Sequence, residues 1–203
     1  MERKSSDEKN SDRPRRKPAG AAVLQDTVTE AIQRALFEEW AERGYSALRM
    51  ERIAARAGVG KAALYRRSKS KFELVTEAVK SKATSITPIP DTGSFEKDVA
   101  KLMRRMAATL RHPLVKRILP DLHAEHARSD ELAELLESVT RDRRAQATVL
   151  LDRAIERGEL TKDTDRQMIL DMFIAPLYWH VIVQHRLVRS ADIQRFTNLV
   201  LSV

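Results

Sequence analysis

An all-helical fold is predicted for this chain by three observations. Ala, Leu, Glu, Arg and Lys dominate the sequence; aromatics make up only 5% and β-branched runs are scarce; and apolar residues recur at spacings of three and four. The 203 residues, 42% hydrophobic and 33% charged, are those of a globular protein with material for one compact domain or two small ones. Cysteine is absent. That excludes disulfides, thiolate metal sites and cysteine nucleophiles, and fits a reducing cytoplasm.

The elements follow in order. Residues 1–20 mix charge, Ser, Pro and Gly without an apolar period, which reads as a disordered tail too polar for a secretory signal. Its end, Arg13-Pro14-Arg15-Arg16-Lys17-Pro18, is either an arm for a minor groove or phosphates, or a plain solubilising leader. A helix is expected over 26–43, burying Val28, Ile32, Ala35, Leu36 and Trp40, with Glu38, Glu39 and Glu42 outside that stripe and Gly44 as its stop. A second, over 50–57, buries Met50, Ile53, Ala54 and Ala57, and Ala54 is small where two helices must cross closely. Gly58 supplies a turn at positive φ, and Val59 packs beneath it. A third helix, over 60–67, buries Leu64 and turns Gly60, Lys61, Ala62, Tyr65 and Arg66 outward. Two short helices about a glycine turn, with basic residues on and just after the second, have the layout of a helix-turn-helix that sets its second helix in the major groove of double-stranded DNA.

A fourth helix runs from Ser70 to Ala83, and Ser85–Gly93, with two prolines, is a loop. Helices are then expected over 94–111, 113–119 and 121–128, the last two separated by Pro120. A long one over 130–157 is capped by Ser129, ended by Gly158 and broken in its apolar stripe by Arg141 to Arg144. Another over 164–187 is kinked by Pro176, and the last covers 191–202. The organisation expected is a tail (1–20), a DNA-binding domain (21–73) and a helical C-terminal domain (74–203). The most apolar stretch, Met168 to Val183, is interrupted by Asp171, Pro176 and His180 and falls short of the ~18 residues a membrane span needs. No membrane partner is expected.

Charge agrees with the motif. Residues 1–72 carry 17 Lys/Arg against 10 Asp/Glu, whereas residues 73–203 carry 20 against 19. Neutralising phosphates dominates affinity for nucleic acid, so the positive excess lies in the half that carries the motif. Within it, Lys61 leaves the start of the recognition helix with a long, flexible donor suited to a base edge. Tyr65 suits a sugar-phosphate backbone, or alternatively packs into the core. Arg66 and Arg67 diverge by ~100° on the helix surface, so one of them reaches DNA. Arg49 and Lys71, at helix starts, are placed for phosphates, and Arg52 is either a phosphate contact or a solvated arginine.

Residues 26–75 resemble the TetR family of bacterial transcriptional regulators. The resemblance rests on Gly44-Tyr45, Ile53-Ala54, Ala57-Gly58-Val59, Lys61, Leu64-Tyr65 and Ser70-Lys71 at their spacing. In the C-terminal half, Gly158-Glu159-Leu160, Asp163, Asp165 and Ala175-Pro176-Leu177-Tyr178-Trp179 resemble one recurrent actinobacterial-style C-terminal domain of that family. The likeness implies a three-helix DNA-binding domain, joined through the fourth helix to a domain that binds a ligand and forms a homodimer through its last two long helices. Three residues depart from the pattern. Arg49 stands where Ser or Thr usually caps the second helix, a loss of about 1 kcal/mol. Ala63 replaces a common Thr, and Ser68 replaces an aromatic whose bulk Phe72 partly restores.

One helix-turn-helix buries little area, so specificity requires a dimer on a palindrome. Ile193, Phe196, Val200 and the Met168–Val183 stripe are expected in that interface. Met103, Met106, Met168, Met172, Phe173, Tyr178 and Trp179 either line a cavity for a small apolar or amphipathic effector or are simply core and interface. His123 and His126, with Asp121 and Glu125 nearby, offer too few ligands for a metal site, and His180 and His185 read as structural or as polar groups of a pocket. No catalytic constellation or cofactor motif is found, so an enzyme is not expected. The favoured reading is an effector-released repressor, cytoplasmic and nucleoid-associated. The alternative is an effector-independent, DNA-organising protein of modest specificity.

Removing residues 1–20 is expected to weaken binding to all DNA and to flatten the dependence of log affinity on log salt by about 0.9 for each phosphate the arm neutralises. An unchanged slope in a salt titration contradicts an active basic arm.

Overall fold

The computed structural model describes residues 20–84 and 89–203, with side chains over 26–83 and from 89 onward. The basic cluster at 13–18 therefore lies outside the described residues. Among those described there is no strand.

The helix-turn-helix module comprises α1 (Gly20–Arg43), α2 (Met50–Ala57) and α3 (Lys61–Tyr65), followed by α4 (Lys71–Thr84). The body comprises α5 (Phe95–Arg111), α6 (Pro113–His126), α7 (Asp130–Glu156), α8 (Arg166–Tyr178), a π-helical turn (Trp179–Val183) and α9 (Ser190–Leu201). Helix α1 begins at Gly20, six residues earlier than the apolar stripe suggests. Helix α6 runs unbroken through Pro120, where two short helices were expected. Helix α8 stops at Tyr178 instead of reaching 187. Pro176 cannot donate a backbone hydrogen bond and crowds the preceding turn, and the chain widens just after it, with the Gln184 N–H bonding the Trp179 carbonyl at 2.9 Å. His185 closes the turn at φ 54°.

Two apolar cores divide the molecule. The first gathers Ile32, Leu36, Trp40, Ile53, Leu64, Leu74 and Val75 of the N-terminal helices together with Leu122 of α6 and Leu132, Leu135 and Val139 of α7. The second gathers Phe95, Val99 and Met103 of α5 with Leu150, Leu151 and Ala154 of α7, Ile169, Phe173 and Leu177 of α8, and Ile193 and Val200 of α9. The charged break at Arg141–Arg144 falls between the two sets of α7 contacts, so that one helix serves both cores. Glu159, just beyond Gly158 (φ 73°), caps α5 from afar by accepting the Phe95 N–H at 2.9 Å.

Two carboxylates organise the first core's surroundings. Glu39 is only 2% exposed, against the expectation that it lies outside the buried stripe. It holds Arg43 at 3.1 Å and Arg56 at 3.4 Å and accepts from Arg52, tying α1 to α2. Burying an acid is tolerated here because three cations converge on it. Asp121 of α6 accepts from the Trp40 indole N–H at 2.6 Å and from the Tyr45 backbone N–H at 2.9 Å. Gly44, at φ 80°, brings the chain so near that an added Cβ would sit 3.0 Å from the Asp121 Oδ1.

Because hydrogen bonds to a charged group contribute about 1.5–3 kcal/mol each and Asp121 accepts two, Asp121→Ala is expected to cost about 3–6 kcal/mol in urea denaturation. Trp40→Phe and Asp121→Ala should be strongly non-additive in a double-mutant cycle. Additive effects would mean that the two side chains stabilise the joint independently.

Candidate nucleic-acid interface

The geometry of the turn follows from its glycine. Gly58 sits at φ 68°, and its Cβ position meets nothing within 4 Å, so backbone conformation and not crowding demands glycine there. The Val59 N–H closes on the Ala54 carbonyl at 3.0 Å, seating Val59 against the first core. Gly60 then opens α3, whose one fully buried residue is Leu64. The expected outward residues Gly60, Lys61, Ala62, Tyr65 and Arg66 are all exposed.

The cations expected to meet DNA differ in how free they are. Lys61 places its Nζ 2.7 Å from Glu51 of α2, and Tyr65, 39% exposed and not packed into the core, donates its hydroxyl to the same carboxylate at 3.3 Å. The Lys61 ammonium holds the Glu51 carboxyl below its ordinary range, and Glu51 in turn raises Lys61. Arg52 is committed to the buried Glu39 and to the Ala47 carbonyl, which weakens its case as a phosphate contact. Arg49 stands at the N-cap of α2 without capping it and folds onto the carbonyls of Leu48 at 3.0 Å and Ser46 at 3.3 Å. Lys71 is half-buried. Its Nζ lies 4.2 Å from the Tyr45 ring centroid and donates to the Tyr45 carbonyl at 3.1 Å, and burial, followed by the charge of Arg49, lowers its pKa. Of the diverging pair, Arg67 donates to Thr29 at 2.9 Å, leaving Arg66 directed to solvent.

Sequence reasoning missed two acids. Glu51 is an ordinary polar residue of an amphipathic helix by its spacing, and only the fold brings it beside α3. Glu77 accepts from the Ser68 hydroxyl at 3.1 Å, which satisfies a side chain buried at the position expected to be aromatic. Phe72 packs at the edge of the first core.

The effector candidates are scattered. Met103 and Phe173 lie inside the second core at 0% and 2% exposure, Met106 and Met172 lie at its edge, and Trp179 and Met168 face outward at 54% and 48%. Tyr178 is half-buried, with its hydroxyl 3.5 Å from His123 Nδ1. Among the described residues, two hollows of about 480 and 430 Å³ are surface grooves lined around Thr140 and around Ala191, outside that core. Ile193 and Val200, expected at a dimer interface, are instead buried within their own chain, because α9 packs on α5 and α8. His123 and His126 each bond a carbonyl of their own helix at 2.6 Å, and Asp121 faces α1.

Ser68→Phe, which installs the aromatic that the resemblance leads one to expect, is predicted to destabilise by about 1–3 kcal/mol, because the site is filled and the Glu77 hydrogen bond is lost. A gain in thermal stability would show that the position retains room for a ring.

The comparisons with known proteins agree with this geometry. Residues 32–78 match the model of bacterial regulatory proteins of the tetR family, and residues 89–200 match that of the tetracyclin repressor-like C-terminal domain. The HTH-type transcriptional regulator YdeS of Bacillus subtilis is 31% identical over 160 residues, spanning 76% of this chain and 78% of its own. The DNA-binding transcriptional repressor TetR of Mycobacteroides abscessus is 30% identical over 161 residues, spanning 75% and 80%. Among solved structures, the TetR family transcription regulator SCO0332 matches with a TM-score of 0.67 at 25% identity, over 86% of this chain and 97% of that one. FadR from Bacillus subtilis, solved in complex with stearoyl-CoA, shares the fold at a TM-score of 0.65 and 20% identity, over 85% and 95%. With its helix-turn-helix and all-helical body, the chain belongs to the TetR family of DNA-binding transcriptional regulators.

Proposed function

We propose that this regulator is a cytoplasmic repressor that binds a palindromic operator as a homodimer and is released by a small apolar or amphipathic effector. The observation that carries the reading is the exposed face of α3, where Lys61, Tyr65 and Arg66 stand clear of the core at the end of a helix-turn-helix. Lys61 serves a base edge, while Tyr65 and Arg66 serve the backbone.

The dimer is supported by apolar side chains left outside the second core. Ala175, Trp179 and Val183 recur every fourth residue along the outer side of α8 and its π-turn, with Met168 further back on α8 and Leu199 on α9. Such an exposed run suits a two-fold contact with a second copy, and it replaces Ile193 and Val200 as the basis of the interface.

An effector acts by preferring the conformer that does not bind DNA, and only that preference shifts the population. Met106, Met172 and Tyr178, at the edge of the second core, are the residues through which it would open. FadR of Bacillus subtilis, with stearoyl-CoA bound, supports an amphipathic ligand within this architecture. A second reading is favoured by the filled centre of that core, where Met103 and Phe173 are fully packed. In it the protein organises DNA without an effector.

Selection of genomic fragments by purified protein at physiological salt tests the reading. A single palindromic site, lost with Lys61→Ala while sedimentation still reports a dimer, is the expected result. Diffuse, salt-sensitive retention of many fragments favours the DNA-organising reading, and a monomer in sedimentation contradicts the dimer.

A further inference from the structure

The reading face carries an acid, Glu51, that DNA binding would not by itself call for. Its side chain is 50% exposed and that of Lys61 is 61% exposed, so their ion pair adds little to stability. Yet one oxygen, Glu51 Oε1, gathers two of the three side chains proposed to meet DNA, Lys61 at 2.7 Å and the Tyr65 hydroxyl at 3.3 Å. The Lys61 ammonium also stands 5.8 Å from the Tyr65 ring centroid, completing a three-residue cluster across α2 and α3.

The chemistry of that cluster limits what it can meet. An ionised carboxylate only accepts hydrogen bonds and repels a phosphate, so it opposes sequence-independent docking on the backbone. Within the major groove the same group has a partner in the exocyclic amine of cytosine, while a lysine freed from it fits the O6 and N7 acceptors of guanine. Of the neighbouring cations, Arg52 holds Glu39, Lys71 lies on Tyr45 and Arg49 folds onto its own backbone, which leaves Arg66, next to Tyr65 in the chain, directed outward.

We infer that Glu51 is a specificity-determining residue: it withholds Lys61 from phosphates and exchanges it for a cytosine amino group, so that Glu51 and Lys61 jointly read a G·C pair in each half-site. The inference rests on the DNA-regulator reading above. Discrimination then comes partly from a penalty on wrong sequences, as an unpaired carboxylate facing phosphate or a base acceptor is costly.

Glu51→Gln tests this, because glutamine keeps the shape and the acceptor for Tyr65 but removes the charge. Binding of wild type and variant to a duplex of randomised sequence is measured by fluorescence anisotropy between about 50 and 200 mM salt, and both proteins are put through selection from randomised DNA. The variant is expected to bind randomised duplex several-fold more tightly at the lowest salt, with a log–log salt slope steeper by about 0.9 for the released lysine. It should also lose roughly tenfold of its preference at one G·C position per half-site. An unchanged slope, or a preference lost only at an A·T position or at none, overturns the inference while leaving the regulator intact. A wild-type protein that selects no sequence overturns both.

Discussion

The placement of the reading module on the body depends on one carboxylate. Asp121 reaches from α6 to the end of α1, taking the Trp40 indole N–H and the Tyr45 backbone N–H on one oxygen. Few side chains could substitute. The site needs an acceptor on α6 short enough to meet a backbone amide, a donor on α1, and a glycine where the chain passes close to the acid. Around this contact the first core closes over residues from both halves, with Leu122, Leu132, Leu135 and Val139 packed among those of α1 to α4. The reading head is therefore built partly from the body's own helices. A displacement of α6 would be felt directly at Trp40 and at Gly44–Tyr45, the junction leading into α2.

Charge within the head is arranged by the same economy. Glu39 is surrounded by Arg43, Arg52 and Arg56, so part of the basic character seen in the sequence, that of Arg52 and Arg56, maintains the crossing of α1 and α2. Net charge brings the protein to DNA by long-range attraction, whereas few cations remain directed outward from α3 itself. Attraction and recognition thus fall on different residues. That division is compatible with loose approach to any duplex and selective seating at few.

Much of this is legible in the sequence. Helical periodicity places α2, α4, α5, α7 and α9 closely, because each buries a stripe of Leu, Ile, Val or Ala on one face and ends at Gly, Pro or a capping residue. The outward set on α3 is readable because Leu64 alone is apolar enough to fix its buried side. Three kinds of feature are not legible. Pro120 predicts a break, yet α6 continues through it, since tertiary packing on α1 and α7 outweighs a local preference. Ile193 and Val200 look intermolecular because periodicity reports burial without naming the partner, and α5 supplies it within the chain. Glu39, Glu51 and Asp121 look like solvated or incidental charges. Their roles depend on pairs separated by 13, 10 and 81 positions, respectively, such as Arg52, Lys61 and Trp40, and no local spacing rule reaches that far.

In the proposed assembly, α3 of each of two copies enters the major groove of one operator. Hydroxyl-radical footprinting of a selected fragment tests it most directly. Two protected patches on one face of the duplex, with centres about 34–36 Å or a multiple of that apart and both lost with Lys61→Ala, are the expected pattern. Even protection along the fragment, or protection unaffected by Lys61→Ala, would contradict recognition through this helix.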